Sequence, residues 1–198
     1  MEPVSEELIQ RIAAALTANN VEAIVVDTGE DARRLVIELV PEGAEVYSSK
    51  SKTMEDLGLV EHFESGPYEW LRARYLKMDR RTEGREIRKL ISAPDYMLGS
   101  VQAVTADGAL VVASYSASQI GPYAAGASRL ILVVGSQKIV PDLEAARRRI
   151  REVVFPYEDA RLREQLGVGT KLAKLLVSYS EAAPGRVTVV LVREPVGV

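Results

Sequence analysis

The sequence predicts an α/β fold, with a mostly parallel sheet and helices packed on it. Two observations carry that expectation. Short β-branched runs alternate with stretches of helical apolar spacing, giving a strand, helix, strand, loop, helix order. The strand-like runs at 21–26, 130–134 and 187–192 are predominantly apolar and β-branched rather than alternating, as a strand buried on both faces requires. The 198 residues are 47% apolar and 27% charged, an ordinary globular balance. A chain of this length buries roughly 70% of its unfolded surface without a disulfide or metal staple. One α/β domain spanning 1–198 is the simplest organisation, since no repeat, low-complexity tract or linker interrupts it.

Each element follows from local pattern. Leu8, Ile9, Ile12 and Leu16 recur at helical spacing over 5–19, and Asn19 with Asn20 ends that helix. Residues 21–26 read as a buried strand. Thr28 with Asp31 forms a capping-box start for a helix that runs to Pro41. A strand is expected at 44–47, then a loop at 48–52. Thr53 with Asp56 is expected to open a short helix. Residues 69–91 are charged with helical apolar spacing, predicting two helices broken near Glu83 and Gly84. Residues 96–98 read as a short strand. Asp107-Gly108 marks a turn, and 109–113 a strand. The small, polar stretch 114–128 reads as a loop. After the buried strand at 130–134, Pro141 starts a helix through Arg151. Pro156 starts another that ends near Gly167. Residues 172–177 fit either a helix or a strand, and 187–192 is the last strand.

Composition excludes several chemistries. Without cysteine, this chain offers no disulfide, thiolate metal site, iron–sulfur ligand or thiol nucleophile. Its one histidine, His62, cannot make a His₃ metal site, and no metal or cofactor is expected. A net charge of −3 argues against a nucleic-acid partner. No apolar run approaches the roughly 18 residues of a membrane span. The acidic N-terminus lacks a signal-peptide pattern. A cytoplasmic location is the resulting expectation.

Four segments then fall into a recognisable order. Residues 99–111, GSVQAVTADGALV, resemble the S-x-N-A-I-T-x-D-G-x-L-V signature of the lactate-utilization (LUD-domain) family. Residues 130–146, LILVVGSQKIVPDLEAA, resemble its V-I-V-V-G-x-N-K-I-V-x-D-L-E-x-A segment. Residues 51–58, SKTMEDLG, and 189–197, VVLVREPVG, are similar to two further family stretches. The resemblance implies the three-layer α/β/α layout shared with sugar-phosphate isomerases and coenzyme A transferases. It also implies a part in oxidising lactate to pyruvate, usually alongside other lactate-utilization subunits. The chain departs from the pattern at Gln102, where the family has Asn, and around 118–122. It also lacks the cysteine cluster that several relatives carry near the C-terminus.

Candidate ligand-binding residues lie on the loops that follow strands. Ser49, Lys50 and Ser51 precede a helix start, where hydroxyls, an ammonium and free N–H groups suit a phosphate or carboxylate. They equally suit a solvated loop that caps the helix. Gly99, Ser100 and Gln102 sit where open α/β sheets place ligands. Gly99 would let a ligand approach the backbone. Thr105 and Asp107 are candidates that read more readily as turn formers. Ser118, Gln119 and Gly121 belong to a loop of the kind that closes over ligands. Lys138 follows a buried strand and is placed to pair with an anion; otherwise it is a surface lysine at a strand end. His62 reads as exposed, and Arg147 to Arg149 as a solvated helix face. No catalytic residue stands out. The leading expectation is a protein that binds a small anionic ligand. The alternatives are an accessory subunit of an iron–sulfur oxidoreductase complex, or a diverged sugar-phosphate isomerase or coenzyme A transferase. A homodimer is the default assembly.

Overall fold

Two sheets organise the computed structural model, which describes residues 5–49 and 51–198. Helix α1 (Glu6–Ala18) begins where the Ser5 hydroxyl accepts the Leu8 N–H, and buries Ile9, Ile12 and Leu16. Asn20, at φ 60°, turns the chain out of it. Strand β1 (Glu22–Val26) leads to α2 (Gly29–Leu39), and the expected Thr28–Asp31 capping box is present. Then come β2 (Glu45–Ser48), α3 (Lys52–Asp56), α4 (Leu59–Ser65), β3 (Glu69–Trp70), α5 (Leu71–Tyr75) and α6 (Gly84–Ser92). The chain continues through β4 (Tyr96–Gly99), β5 (Ala103–Thr105), β6 (Leu110–Ser114), a π-turn at Pro122–Gly126 and β7 (Arg129–Gly135). It ends with β8 (Ile139–Val140), α7 (Leu143–Arg149), a second π-turn at Ile150–Val154, α8 (Phe155–Leu166), β9 (Lys174–Ser178) and β10 (Val187–Val192).

The larger sheet is entirely parallel, in the order β1-β10-β7-β4-β2-β3. Apolar side chains cover both faces. On one, α1 packs Ile9, Ile12 and Leu16 against Met97, Leu130, Leu132 and Val189. On the other, α2, α3 and α4 pack Val36, Met54 and Phe63 against Leu98, Ile131, Val133 and Val190. Helices on both faces of a parallel sheet make the three-layer arrangement. The apolar runs 130–134 of β7 and 189–192 of β10 follow directly, since each successive side chain enters one core or the other.

The smaller sheet has the order β8-β5-β6-β9. Its β5–β6 and β6–β9 pairs are antiparallel. Residues 172–177 thus resolve in favour of a strand, drawn in by pairing with β6. The segment 69–91 is not wholly helical, because Glu69 and Trp70 first pair with β2. Its helical parts break at 76–83, with α6 starting at Gly84 as expected. The helix expected from Thr53 starts earlier, with Ser51 accepting the Met54 N–H at 3.4 Å. The helix expected from Pro141 starts at Leu143, capped by Asp142. No helix among the described residues is long and apolar enough to cross a membrane.

Candidate functional site

Parallel strands all end on one side, so β2, β4 and β7 deliver their following loops to a common edge. The edge is stepped. Gly99, the last residue of β4, lies opposite Leu132, whereas β7 runs on to Gly135. Ser100 fills the step: its hydroxyl donates to the Val133 carbonyl at 2.6 Å, replacing the ladder bond that the departing chain gives up.

Lys138 lies at the centre of this edge. The 3₁₀ turn at Ser136–Lys138 folds it back under the loops, leaving it 2% exposed. Its ammonium donates to Ser100 Oγ at 2.9 Å and to Thr53 Oγ1 at 2.8 Å. Both partners are neutral. Burial, reinforced by the nearby Arg149 guanidinium, pulls Lys138 from an ordinary 10.5 down to about 7. The carboxylate of Asp56 opposes this only weakly, and it is already paired with Lys52. Arg149 reaches the same region from α7, where its Nε–H donates to the Gln137 carbonyl at 3.1 Å. Its buried Nη1 has no hydrogen-bond partner among the described residues.

The chain near its C-terminus covers the cluster from outside. Gln137 Nε2 donates to the carbonyls of Val196 and Gly197 at 2.9 and 3.3 Å. Gly197, at φ 71°, lies against Thr53 so closely that a Cβ would overlap its hydroxyl. Tyr123 closes the opposite side, accepting the Ser100 N–H at 3.1 Å and donating to the Ser100 carbonyl at 3.2 Å. Burial holds its phenol well above the usual range. Tyr47, pushed up to about 12 by burial, shares a hydrogen bond with Ser118.

The structure brings some expected residues together and separates others. Ser100 and Lys138 are bonded directly. Ser49 and Ser51 are half-buried on the same edge, with Ser51 engaged as the α3 cap. Lys50 lies outside the described residues. The space beside Gly99 is filled by the Tyr123 hydroxyl, which a Cβ would overlap. Gln102 is tied across the hairpin, its Oε1 accepting the Ala113 N–H at 2.9 Å. Thr105 and Asp107 hydrogen-bond to each other in the β5–β6 turn, whose Asp107 carbonyl accepts from Asn19 at 2.9 Å. Ser118 and Gln119 hydrogen-bond within their loop at 3.2 Å, and Gly121 faces open space.

Three residues of the cluster escape sequence reasoning. Thr53 reads as a helix cap, Tyr123 lies within an apparent loop, and Arg149 belongs to an apparently solvated run. Only Arg149 leaves a usable signal, because it stands three and four residues after the buried Ala146 and Ala145. His62 departs from the exposed reading: its half-buried ring packs on Phe63 and Tyr68 at centroid distances of 5.1 and 5.8 Å. Burial, then Arg33, lowers its pKa.

These features define an α/β protein with a parallel core sheet and a cationic, hydroxyl-lined cluster at its carboxyl edge. The chain belongs to the LUD domain family, whose profile matches residues 9–192. Among solved structures, a DUF162 family protein from Deinococcus radiodurans aligns at a TM-score of 0.58 and 14% identity, over 96% of this chain and 99% of that one. That likeness concerns the fold. Ribose 5 phosphate isomerase A from Neisseria gonorrhoeae aligns over 91% of this chain and 78% of its own, at 13% identity and a TM-score of 0.35. No curated protein shows a significant sequence match.

Proposed function

We propose that the chain binds a small carboxylate- or phosphate-bearing ligand at Lys138, Ser100 and Thr53, in a role tied to the oxidation of lactate to pyruvate. One observation carries this reading. Lys138 is almost fully buried, bonded only to neutral hydroxyls, with another cation rather than a carboxylate as its strongest charged neighbour. An uncompensated buried cation costs folding energy, and function is a common reason for tolerating that cost. An anion would supply the missing charge. Ser100 and Thr53 hold the ammonium in place, and Arg149 adds positive potential. The lactate connection rests on family membership.

Ligand access requires Val196 and Gly197, which lie over Gln137 and Thr53, to yield. Titration calorimetry with inorganic phosphate, lactate, pyruvate and a sugar phosphate tests the reading. We expect binding that tightens as pH falls through about 7, since Lys138 gains its proton there. Above that pH, binding should take up a proton. Lys138→Met should weaken binding about tenfold or more, the loss expected when a charge-assisted hydrogen bond disappears. Indifference to all four anions, or equal binding by the variant, would remove the proposal.

A further inference from the structure

Among the described residues, no carboxylate bonds the Lys138 ammonium. The charged groups of the elements around it are turned elsewhere or carry the same sign. Arg149 of α7 is a second cation, and Asp56 of α3 is paired with Lys52. Beyond β10, Glu194 accepts the Gly29 N–H at 3.0 Å. The phenol of Tyr123 is held on the Ser100 backbone.

The two hydroxyls that fix the nitrogen are not equivalent. Ser100 Oγ commits its proton to the Val133 carbonyl at 2.6 Å. Thr53 Oγ1 accepts from Lys138 at 2.8 Å and donates to no acceptor among the described residues, so its proton is available beside the amine. Arg149 is oriented through its Nε–H, which donates to the carbonyl of Gln137, the residue before Lys138. Its buried Nη1 has no hydrogen-bond partner among the described residues. A buried donor left unpaired is uncommon, and a carboxylate oxygen is a natural partner for a guanidinium.

We propose that Lys138 forms a reversible imine with the ketone of a small 2-oxo acid whose carboxylate is held by Arg149. The inference rests on the anion site proposed above and adds a covalent step to it. An amine beside a guanidinium suits a carbonyl and a carboxylate on adjacent carbons. Burial beside another cation is also the setting in which a lysine offers the free lone pair that attack requires, and Lys138 reaches that form near 7. Once one proton has left the ammonium for solvent, the nitrogen lone pair bonds to the ketone carbon and the carbonyl π pair moves to oxygen. Thr53 Oγ1 protonates that oxygen and recovers a proton from nitrogen. The C–O bond then breaks, its oxygen takes a proton from solvent and leaves as water, and the C=N bond forms. Ammonium and ketone thus give iminium and one water, with no oxidant or reductant. Val196 and Gly197, bonded over the cluster by Gln137, would keep water from the imine once it forms.

Pyruvate, the smallest 2-oxo acid with a ketone, tests the step together with sodium cyanoborohydride, which reduces an imine to a stable amine. Peptide mass analysis should find a carboxyethyl group on Lys138, about tenfold or more above the exposed Lys89 and Lys171, which are fully charged near neutral pH. The yield on Lys138 should rise with pH through about 7. Arg149→Met should lower the ratio of labelling by pyruvate to labelling by propanal, which lacks a carboxylate, by about tenfold or more. No excess on Lys138 would overturn the imine, and binding of phosphate and lactate in the titration above would then leave the anion site standing. An unchanged ratio in Arg149→Met would overturn the place given to the carboxylate. Labelling of the unaltered chain needs no variant, so it decides the imine whether or not Arg149→Met folds.

Discussion

Leu132 on β7 is 1% exposed and Leu175 on β9 is 45% exposed, although both are leucines in strands. The difference lies in what covers them. The parallel sheet is enclosed by α1 on one face and by α2 to α4 on the other. The smaller sheet has α7 over Ala103 and Val111, but its edge strand β9 extends past that cover. Helix α8 buries no residue fully, and the ion pair of Arg161 with Glu55 of α3 ties it down, with Glu158 of α8 itself on the same guanidinium. The large sheet is thus fixed by close packing. The α8–β9 end is fixed by hydrogen bonds and ion pairs that leave apolar surface available.

Identical truncations measure that contrast most directly. Leu132→Ala should cost about 2–5 kcal/mol in a denaturant titration, the usual range for a core leucine. A similar cost for Leu175→Ala in dilute solution would erase the distinction drawn here. Next in size, Gly99→Ala should cost about 1–3 kcal/mol, because its methyl meets the Tyr123 hydroxyl. Tyr123→Phe removes that atom, so the double variant should lose less than the two single variants together.

Lys138→Met should stabilise the chain by up to about 1–2 kcal/mol at neutral pH, in keeping with other functional sites relieved of an unfavourable group. The sign follows from proton binding. Folded Lys138 loses its proton near 7, while the unfolded lysine keeps its own to near 10.5. Between those values the unfolded state binds more protons, so this group makes stability rise with pH. Below about 7 the full penalty of the buried charge applies. Melting temperatures across that window should climb for the unmodified chain relative to the variant, and parallel profiles would contradict the assignment. The smallest effect belongs to Leu175→Ala, within about 0.5 kcal/mol as for most surface positions.

Long apolar runs and capped amphipathic helices were legible in the sequence because local pattern alone specifies them. Strands β3, β5 and β8 were not, since two or three residues become a strand only when a neighbour offers its backbone. The site divides in the same way. Lys138 and Ser100 stand at strand ends, where a parallel sheet places polar groups. The partnership of Lys138 with Thr53 depends on a turn that folds the lysine inward, and no spacing rule links positions 85 residues apart. Thr53 resembles a cap because its type and place suit one. Ser51 takes that task and leaves the Thr53 hydroxyl for the lysine.

The pairing of one amine with two hydroxyls has a further consequence. A neutral amine has two N–H bonds and a lone pair, while the charged form has three N–H bonds. With two bonds directed at Thr53 and Ser100, losing the proton need break neither contact. Only the remaining direction changes character, from donor to acceptor. A single fixed nitrogen can therefore face a carboxylate in mildly acidic solution and an alcohol's hydrogen in mildly alkaline solution, while the surrounding backbone stays where it is.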